Sequence, residues 1–133
     1  MLDLGLGEIM NTGKVWGSSS AIFAMNNVEV HRIVIDQGGY CSLHRHTHKH
    51  NLFFVERGIL HVEVTKNDYA LTDTTVLQDG DITDVPPGEW HRFKAIVKTV
   101  AYEIYYTSLD AADIERKDCG GVDGKNFATE TLA

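Results

Sequence analysis

The stretch that decides the fold is His44-Arg45-His46-Thr47-His48-Lys49-His50-Asn51, in which histidine occupies every second position from 44 to 50. Side chains two positions apart on a β-strand point to the same face. On a strand, His44 and His46 would present two imidazoles side by side, which suits a divalent metal held by a rigid scaffold. The stretch therefore predicts a metal site that the rest of the chain supports and completes.

Strand and turn signals surround this cluster. Val28 to Ile35 is rich in β-branched residues, and Ile59 to Lys66 alternates apolar with polar side chains, which is the pattern of half-buried strands. The clearest turn signals are Asn26-Asn27, Asp79-Gly80 and Pro86-Pro87-Gly88. Only Leu109 to Arg116 has the pattern of a helix, about two turns long. About eight to ten short strands with such turns predict an all-β fold, an antiparallel barrel or jelly roll with a short C-terminal helix.

Composition and charge indicate one soluble globular domain. The chain has 133 residues and a formal net charge of −7, which argues against nucleic acid or an anionic membrane surface as the main partner. No stretch approaches the ~20 apolar residues of a membrane-spanning helix, and Met1 to Met10 lacks the basic start of a signal peptide. Two cysteines make no disulfide framework, so a reducing cytoplasm is the predicted location.

We expect the domain to have three parts. Residues 1–13 form an N-terminal segment with at most one short docked strand, residues 14–119 form the barrel, and residues 120–133 form a loosely ordered tail. Within the barrel, Cys41 has the opposite strand parity to His44 and His46. We therefore expect its thiol to face away from the two imidazoles.

Two segments resemble the two motifs of the cupin superfamily. The first consists of Gly38, five residues, His44-x-His46, four residues, Asn51, six residues and Gly58. The second consists of Gly80, five residues, Pro86-x-Gly88, two residues and His91. The resemblance implies a single-domain cupin, a small jelly-roll barrel that binds one metal through residues of both motifs. Asn51 stands where the first motif of the superfamily has a metal-binding glutamate.

A narrower resemblance covers Lys14 to about Gly121 and concerns the cupin domain of type II mannose-6-phosphate isomerases. It rests on four segments in the order of that family: Val15-Trp16-Gly17, Ser42-Leu43-His44-Arg45-His46, Val85-Pro86-Pro87-Gly88-Glu89-Trp90-His91-Arg92 and Asp113-Ile114-Glu115-Arg116. The family has glutamine where this chain has His44, and glutamate where it has Asn51. The resemblance implies metal-dependent interconversion of sugar phosphates, and the wider likeness to cupins implies a homodimer.

The metal ligands implied by the two motifs are His44, His46, Asn51 and His91, with His50 as an alternative ligand beside Asn51. Three neutral imidazoles suit several divalent ions, so the cofactor is expected to be one divalent metal ion: Zn, Fe, Mn or Ni. An asparagine oxygen is uncharged, and the bound ion would therefore keep its full positive charge, which favours an anionic oxygen ligand.

The substrate pocket is predicted less sharply than the metal site. Its candidate lining residues are Arg92, Phe53, Phe93 and Tyr102. Arg92 has a guanidinium that can bind a phosphate bidentately, although it follows His91 and should face the other way on a regular strand. The candidates for a general base are Glu56, Glu103 and His31, and the sequence does not choose among them.

Three functions fit this set of residues. The first is a metal-dependent isomerase-like enzyme acting on a small polar molecule, with a sugar phosphate as the leading substrate. The second is a cupin dioxygenase that holds Fe(II) with three histidines and no carboxylate. The third is a non-enzymatic barrel that binds a carbohydrate or another small ligand.

Overall fold

Nine β-strands form the fold in the computed structural model of the chain, which describes residues 10–66, 71–107 and 112–124. In chain order the strands are β1 (Met10–Lys14), β2 (Gly17–Met25), β3 (Val28–Ile35), β4 (His50–Arg57), β5 (Leu60–Lys66), β6 (Leu71–Leu77), β7 (Ile82–Val85), β8 (Trp90–Ala95) and β9 (Thr99–Tyr106). No helix long and apolar enough to cross a membrane occurs in this described part of the chain.

The strands make two antiparallel sheets. The larger sheet has the order β1-β2-β3-β9-β4-β7, and the smaller has the order β6-β5-β8. The core contains inward-facing residues of both sheets, such as Phe53 and Phe93, whose rings meet edge to face with centroids 6.1 Å apart. Trp16, in the turn between β1 and β2, packs its ring edge against Phe93 at 5.0 Å. This all-β jelly roll confirms the predicted fold class.

Two local predictions about the ends of the barrel can be compared with the structure. The docked strand allowed for residues 1–13 is β1, which pairs along its whole length with β2. The helix predicted over Leu109 to Arg116 is not seen where the structure describes it, because residues 112–116 form a turn and irregular backbone. Residues 108–111 lie outside the described residues. Residues 112–116 are exposed and pack no apolar face on the core, and a two-turn helix is not stable without such packing.

The histidine-bearing segment, residues 36–49, differs from its prediction. It is not a regular strand, because it crosses from β3 to β4 along the edge of β8 and touches that edge at separate points. Cys41 N donates to Phe93 O, His44 N donates to His91 O at 3.0 Å, and His91 N donates to His44 O at 2.8 Å. These bonds bring the two predicted metal-binding motifs together through their backbones.

Gly58, which ends the first motif, has a conformation that explains its residue type. Its φ is +119°, in the region that L side chains rarely adopt, and a Cβ at this position would lie 2.4 Å from Thr99 Oγ1. Glycine therefore allows the turn after β4 to pass close to the start of β9.

Candidate metal centre

The three motif histidines converge in the structure. His44 and His46 come from the irregular segment and His91 from β8, and one ligand atom of each lies within 4.8 Å of the others. The ring centroids are separated by 5.0 Å for His44 and His46, 4.6 Å for His44 and His91, and 5.4 Å for His46 and His91. His91 is 1% exposed, whereas the other two are partly exposed, and His44 lines a cavity. The residues predicted from the two motifs thus form one cluster that can hold a metal.

Backbone hydrogen bonds set the tautomer of two of these rings. His44 Nδ1 lies 2.8 Å from Ser42 O, and His91 Nδ1 lies 2.9 Å from Glu89 O. A carbonyl can only accept, so each Nδ1 carries the proton and donates it. Each Nε2 is then left with a lone pair, which is the state that binds a metal. The protein therefore prepares two imidazole ligands through carbonyls two residues earlier in the chain.

The side chain of Asn51 completes the group of polar atoms around the cluster. Asn51 is fully buried, and its Oδ1 lies 3.1 Å from His91 Nε2. With the tautomer given above, this places two lone pairs against each other. Among the described residues, His46 Nε2 and Asn51 Nδ2 are buried with no hydrogen-bond partner. A cation facing His46 Nε2, His91 Nε2 and Asn51 Oδ1 would satisfy the lone pairs of these three atoms, so the donor set fits a divalent metal.

The orientation of the Asn51 amide decides whether its oxygen faces the cluster. Turning its amide by 180° would let Nδ2 donate to His91 Nε2, and the oxygen would then face elsewhere. The three histidines do not depend on this choice, and Asn51 stays a predicted fourth ligand.

Burial favours the neutral form of two of these imidazoles, His46 and His91. The pKa of His46 falls from 6.5 to about 4, mainly because burial disfavours its charged form, with further contributions from the charges of Lys49, His44 and His91. Burial also lowers the pKa of His91. Neutral imidazole is the metal-binding form, so a metal meets little competition from protons at these two rings near neutral pH.

Chelator-treated protein is expected to gain stability through His46 as the pH rises from 4 to 6.5. In this window the unfolded state binds more protons at this imidazole than the folded state does, because the folded pKa is about 4 and the unfolded pKa is 6.5. The contribution is fully present above pH 6.5 and is lost as the pH falls towards 4. The measurement is the free energy of unfolding in urea against pH, for the wild type and for His46→Gln.

The difference between the two proteins isolates His46. Glu103, whose raised pKa changes stability in the opposite sense, is present in both. A difference in unfolding free energy that stays constant from pH 4 to 7 would contradict the expectation.

A cavity of about 260 Å³ opens beside His44. Its lining combines polar and aromatic side chains: Lys14, Trp16, Ser19, His31, Cys41, Ser42, His44, Phe93, Glu103 and Tyr105. Glu103 is 7% exposed, and burial raises its pKa. The Tyr105 hydroxyl donates to Glu103 Oε2, and burial together with this carboxylate raises the pKa of Tyr105, which therefore stays protonated. The cavity thus contains a buried carboxyl group held by a phenol.

The structure brings together only part of the predicted pocket. Phe93 lines the cavity, and Phe53 lies beneath the cluster with its ring 6.3 Å from His91. Arg92 and Tyr102 do not line this cavity, because they lie on the outer faces of the two sheets. Arg92 pairs with Glu63 at 3.7 Å, and the Tyr102 hydroxyl donates to Glu56.

Strand alternation explains why Arg92 and Tyr102 point away from the cavity. Arg92 follows His91 directly on β8, so it points to the opposite face. On β9 the inward positions are those of Thr99, Ala101, Glu103 and Tyr105. Tyr102 is out of phase with this set.

Two further predictions concern His50 and Cys41. His50 does not join the cluster: its Nδ1 lies 2.8 Å from Asp84 Oδ2, and its ring stacks on Tyr106. Cys41, which was expected to face away, lines the cavity. The alternation of side chains along a regular strand does not apply to Cys41, because the chain is irregular between Cys41 and His44. Burial raises the pKa of the Cys41 thiol to about 11, so it is not a thiolate nucleophile at neutral pH.

Sequence reasoning missed Tyr105, Lys14, Ser19 and Ser42 as cavity residues. Tyr105 had a usable signal, because it shares its parity with Glu103. Lys14 and Ser19 had none, since only the pairing of β1, β2 and β3 places them at the cavity.

A β jelly roll with three converging histidines is the class of protein that the fold and the site define. The family model for the cupin domain matches residues 31–105, a range that includes both motifs. The chain therefore belongs to the cupin family.

Solved structures share this fold at low identity. KdgF from Halomonas sp. is 14% identical, with a TM-score of 0.64, over 79% of this chain and 90% of that one. An RmlC-like cupin from Shewanella frigidimarina is 21% identical, with a TM-score of 0.60, over 80% of this chain and 89% of that one. A variant of Bacillus subtilis oxalate decarboxylase is 14% identical, with a TM-score of 0.67, over 78% of this chain but only 29% of that one.

These likenesses show the fold alone. No curated protein matches the chain. Neither the family model nor these structures supports the narrower resemblance to mannose-6-phosphate isomerases.

Proposed function

We propose that this cupin is a metal-dependent enzyme that transfers a proton within a small polar ligand, as an isomerase does. The observation that carries the proposal is the position of Glu103. Its buried carboxyl group lines the same cavity as His44, one of the three clustered histidines. A buried carboxyl beside a metal centre combines the two functions that such a reaction needs: a group that moves the proton and a positive charge that polarises the ligand oxygen.

Glu103 has the environment of an acid–base group. Burial raises its pKa, and the hydrogen bond from Tyr105 acts in the opposite direction. The net upward shift brings the carboxyl group towards the range in which it can both take and give a proton near neutral pH. Tyr105 engages Oε2, so Oε1 is the oxygen at which a ligand proton would be exchanged. Of the bases left open by the sequence, Glu56 is excluded from the cavity by its outward position.

His44, His46 and His91 would hold the metal, with Asn51 as the fourth ligand. When bound, a divalent ion supplies positive charge that polarises a carbonyl or hydroxyl oxygen of the ligand. Phe93 and Trp16 restrict water on one side of the cavity. Glu103 would take the proton from the hydroxyl-bearing carbon next to the carbonyl and return it to the former carbonyl carbon, while the hydroxyl proton moves to the former carbonyl oxygen. The reaction therefore needs no oxidant and no reductant.

A sugar phosphate remains the leading substrate in this proposal, and the metal remains one of Zn, Fe, Mn or Ni. The support is the size and polarity of the cavity, which suits a small hydroxylated molecule. Arg92 is not available to bind the phosphate, because its guanidinium lies on the outer face near Glu63.

Glu103→Gln is expected to reduce proton transfer by at least about 100-fold, because glutamine keeps the size of the side chain but cannot exchange a proton. The measurement is hydrogen exchange with D₂O, followed by NMR, on a panel of aldose and ketose phosphates under anaerobic conditions. Glu56→Gln is the matched control, since Glu56 lies on the outer face.

Metal content per chain is measured for both variants. Exchange that is unchanged in Glu103→Gln with full metal content would overturn the proposal. Exchange that is absent from the wild type on the whole panel would overturn the isomerase-like reaction.

A three-histidine dioxygenase is the second candidate function. It is favoured by one observation: the described cluster contains no carboxylate, and the amide of Asn51 takes the place next to His91. Consumption of O₂ that requires both Fe(II) and an added substrate would support it. A chain that binds metal and ligand without turnover in either assay would be a binding barrel. The homodimer and the cytoplasmic location stay predictions.

A further inference from the structure

The cavity beside His44 has one cationic end. Lys14 reaches it because β1 pairs antiparallel with β2, which sets Lys14 opposite Gly17 at the start of the next strand. Ser19 of β2 and Ser42 also line the cavity and add hydroxyl groups. Lys14 is the only lysine or arginine among the residues that line this cavity in the described part of the chain.

Four other cations of the barrel make contacts of their own and do not line this cavity. Arg92 lies near Glu63, and Arg32 lies near Glu56 at 3.8 Å, both on outer faces. Arg45 lies over the ring of Trp90 at 4.8 Å. Lys49 lies over the ring of Tyr105 at 4.0 Å and lines a separate pocket together with that ring. These contacts leave Lys14 as the cation that faces the cavity.

The charges of the cavity favour an anionic ligand. The clustered histidines are neutral donors, so a bound divalent ion keeps its full charge of +2. Lys14 adds a second positive centre, and Glu103 is the only carboxyl group among the lining residues described. An acidic protein thus presents a locally positive cavity.

The middle of the cavity offers hydrogen bonds for hydroxyl groups. His31 and Glu103 face each other across β3 and β9. His31 Nε2 lies 3.3 Å from Glu29 Oε2, and Tyr105 donates to Glu103. His31, Glu103 and Tyr105 therefore line the wall with groups that can donate to or accept from a hydroxyl.

We propose that the cavity takes a small hydroxylated anion, a carboxylate or a phosphate ester, and that Lys14 binds its acid group. Lys14 is then a specificity-determining residue. The proposal rests on the proposed metal-dependent function, since the ligand would reach from the metal to Lys14. It names a residue outside both sequence motifs and replaces Arg92 as the site of the acid group.

The test uses three probes with the same three-carbon backbone: D-glycerate, glycerol 3-phosphate and glycerol. Each is titrated by calorimetry into untagged protein loaded with Zn, and the Co(II)-loaded protein gives a second readout through its visible spectrum. We expect at least one anion to bind about tenfold or more tightly than glycerol, the scale of a charge-assisted hydrogen bond. Lys14→Met should remove this preference, and Lys14→Arg should retain it.

Lys98→Met is the matched control, because Lys98 is exposed and does not line the cavity. A preference for glycerol 3-phosphate alone or for glycerate alone supports the proposal and identifies the acid group. The proposal is overturned if the anions bind no better than glycerol, if no probe binds, or if Lys14→Met keeps the preference. It is also overturned if Lys49→Met removes the preference and Lys14→Met does not.

Failure of this proposal is distinct from failure of the proposed function. Metal content is measured in every variant. Loss of the anion preference with one metal per chain concerns Lys14 only, whereas a wild-type chain that holds no metal removes the metal-dependent function itself.

Discussion

Replacing His91 with alanine is expected to remove the bound metal. The metal affinity should fall by more than about 100-fold, because losing only an outer partner of a metal ligand can already cost that much. His91 is the most buried of the three histidines, and its Nδ1–H donates to Glu89 O. It therefore presents Nε2 to the cluster in one orientation. Without it, His44 and His46 remain, and two imidazoles on an irregular segment do not make a tight site.

The measurement is elemental analysis of untagged protein after dialysis, with metal affinity by competition against a chelator. His50→Ala is the control, because His50 pairs with Asp84 and stacks on Tyr106 away from the cluster. We expect His50→Ala to keep about one metal per chain, like the wild type. Metal that survives His91→Ala but disappears with His50→Ala would show that the alternating histidines bind it outside the barrel.

A folding control accompanies the metal analysis. His91 is buried beneath the cavity, so its loss could lower stability as well as metal affinity. His91→Gln keeps more of the volume, and far-UV circular dichroism reports whether each variant is folded. A folded His91→Gln that lacks metal assigns the loss to the ligand and not to unfolding.

Phe93→Ala is expected to reduce the free energy of unfolding by about 3–5 kcal/mol, the usual cost of removing a buried aromatic ring. Phe93 is 1% exposed, and its ring meets Trp16 at 5.0 Å and Phe53 at 6.1 Å. It joins the smaller sheet to the larger one, and the same ring lines the cavity. The substitution therefore removes core packing and enlarges the site together.

Urea unfolding of the metal-free proteins measures this effect. Phe23→Ala is the matched control, because Phe23 is 46% exposed on β2 and should cost much less. Equal losses for the two substitutions would contradict the packing described for Phe93. Weaker binding of the probe anions should accompany Phe93→Ala, since the cavity loses one wall.

The sequence by itself determined the strand pattern, the two motifs and the three histidines. Alternation of apolar and polar residues is a local property, so β3 and β5 were predicted within a residue of their observed bounds. The two motifs also indicated which histidines meet. His44 belongs to the first motif and His91 to the second, and the two residues pair in the structure. The same spacing carries the resemblance to the cupins, and that resemblance implied the cupin fold.

Only the tertiary structure decided which side chains face the cavity. Alternate residues of a strand point to opposite faces, and β9 carries aromatic residues at both sets of positions. The sequence therefore could not place Glu103 and Tyr105 inside and Tyr102 outside. The pairing with neighbouring strands decides which face is inward: Glu103 pairs with His31 of β3 on one side and with Phe53 of β4 on the other. Burying a carboxyl group is costly unless it is hydrogen-bonded, and the phenol of Tyr105 supplies that bond. Lys14 likewise reaches the cavity through the pairing of β1 with β2, a contact that no local pattern in the sequence encodes.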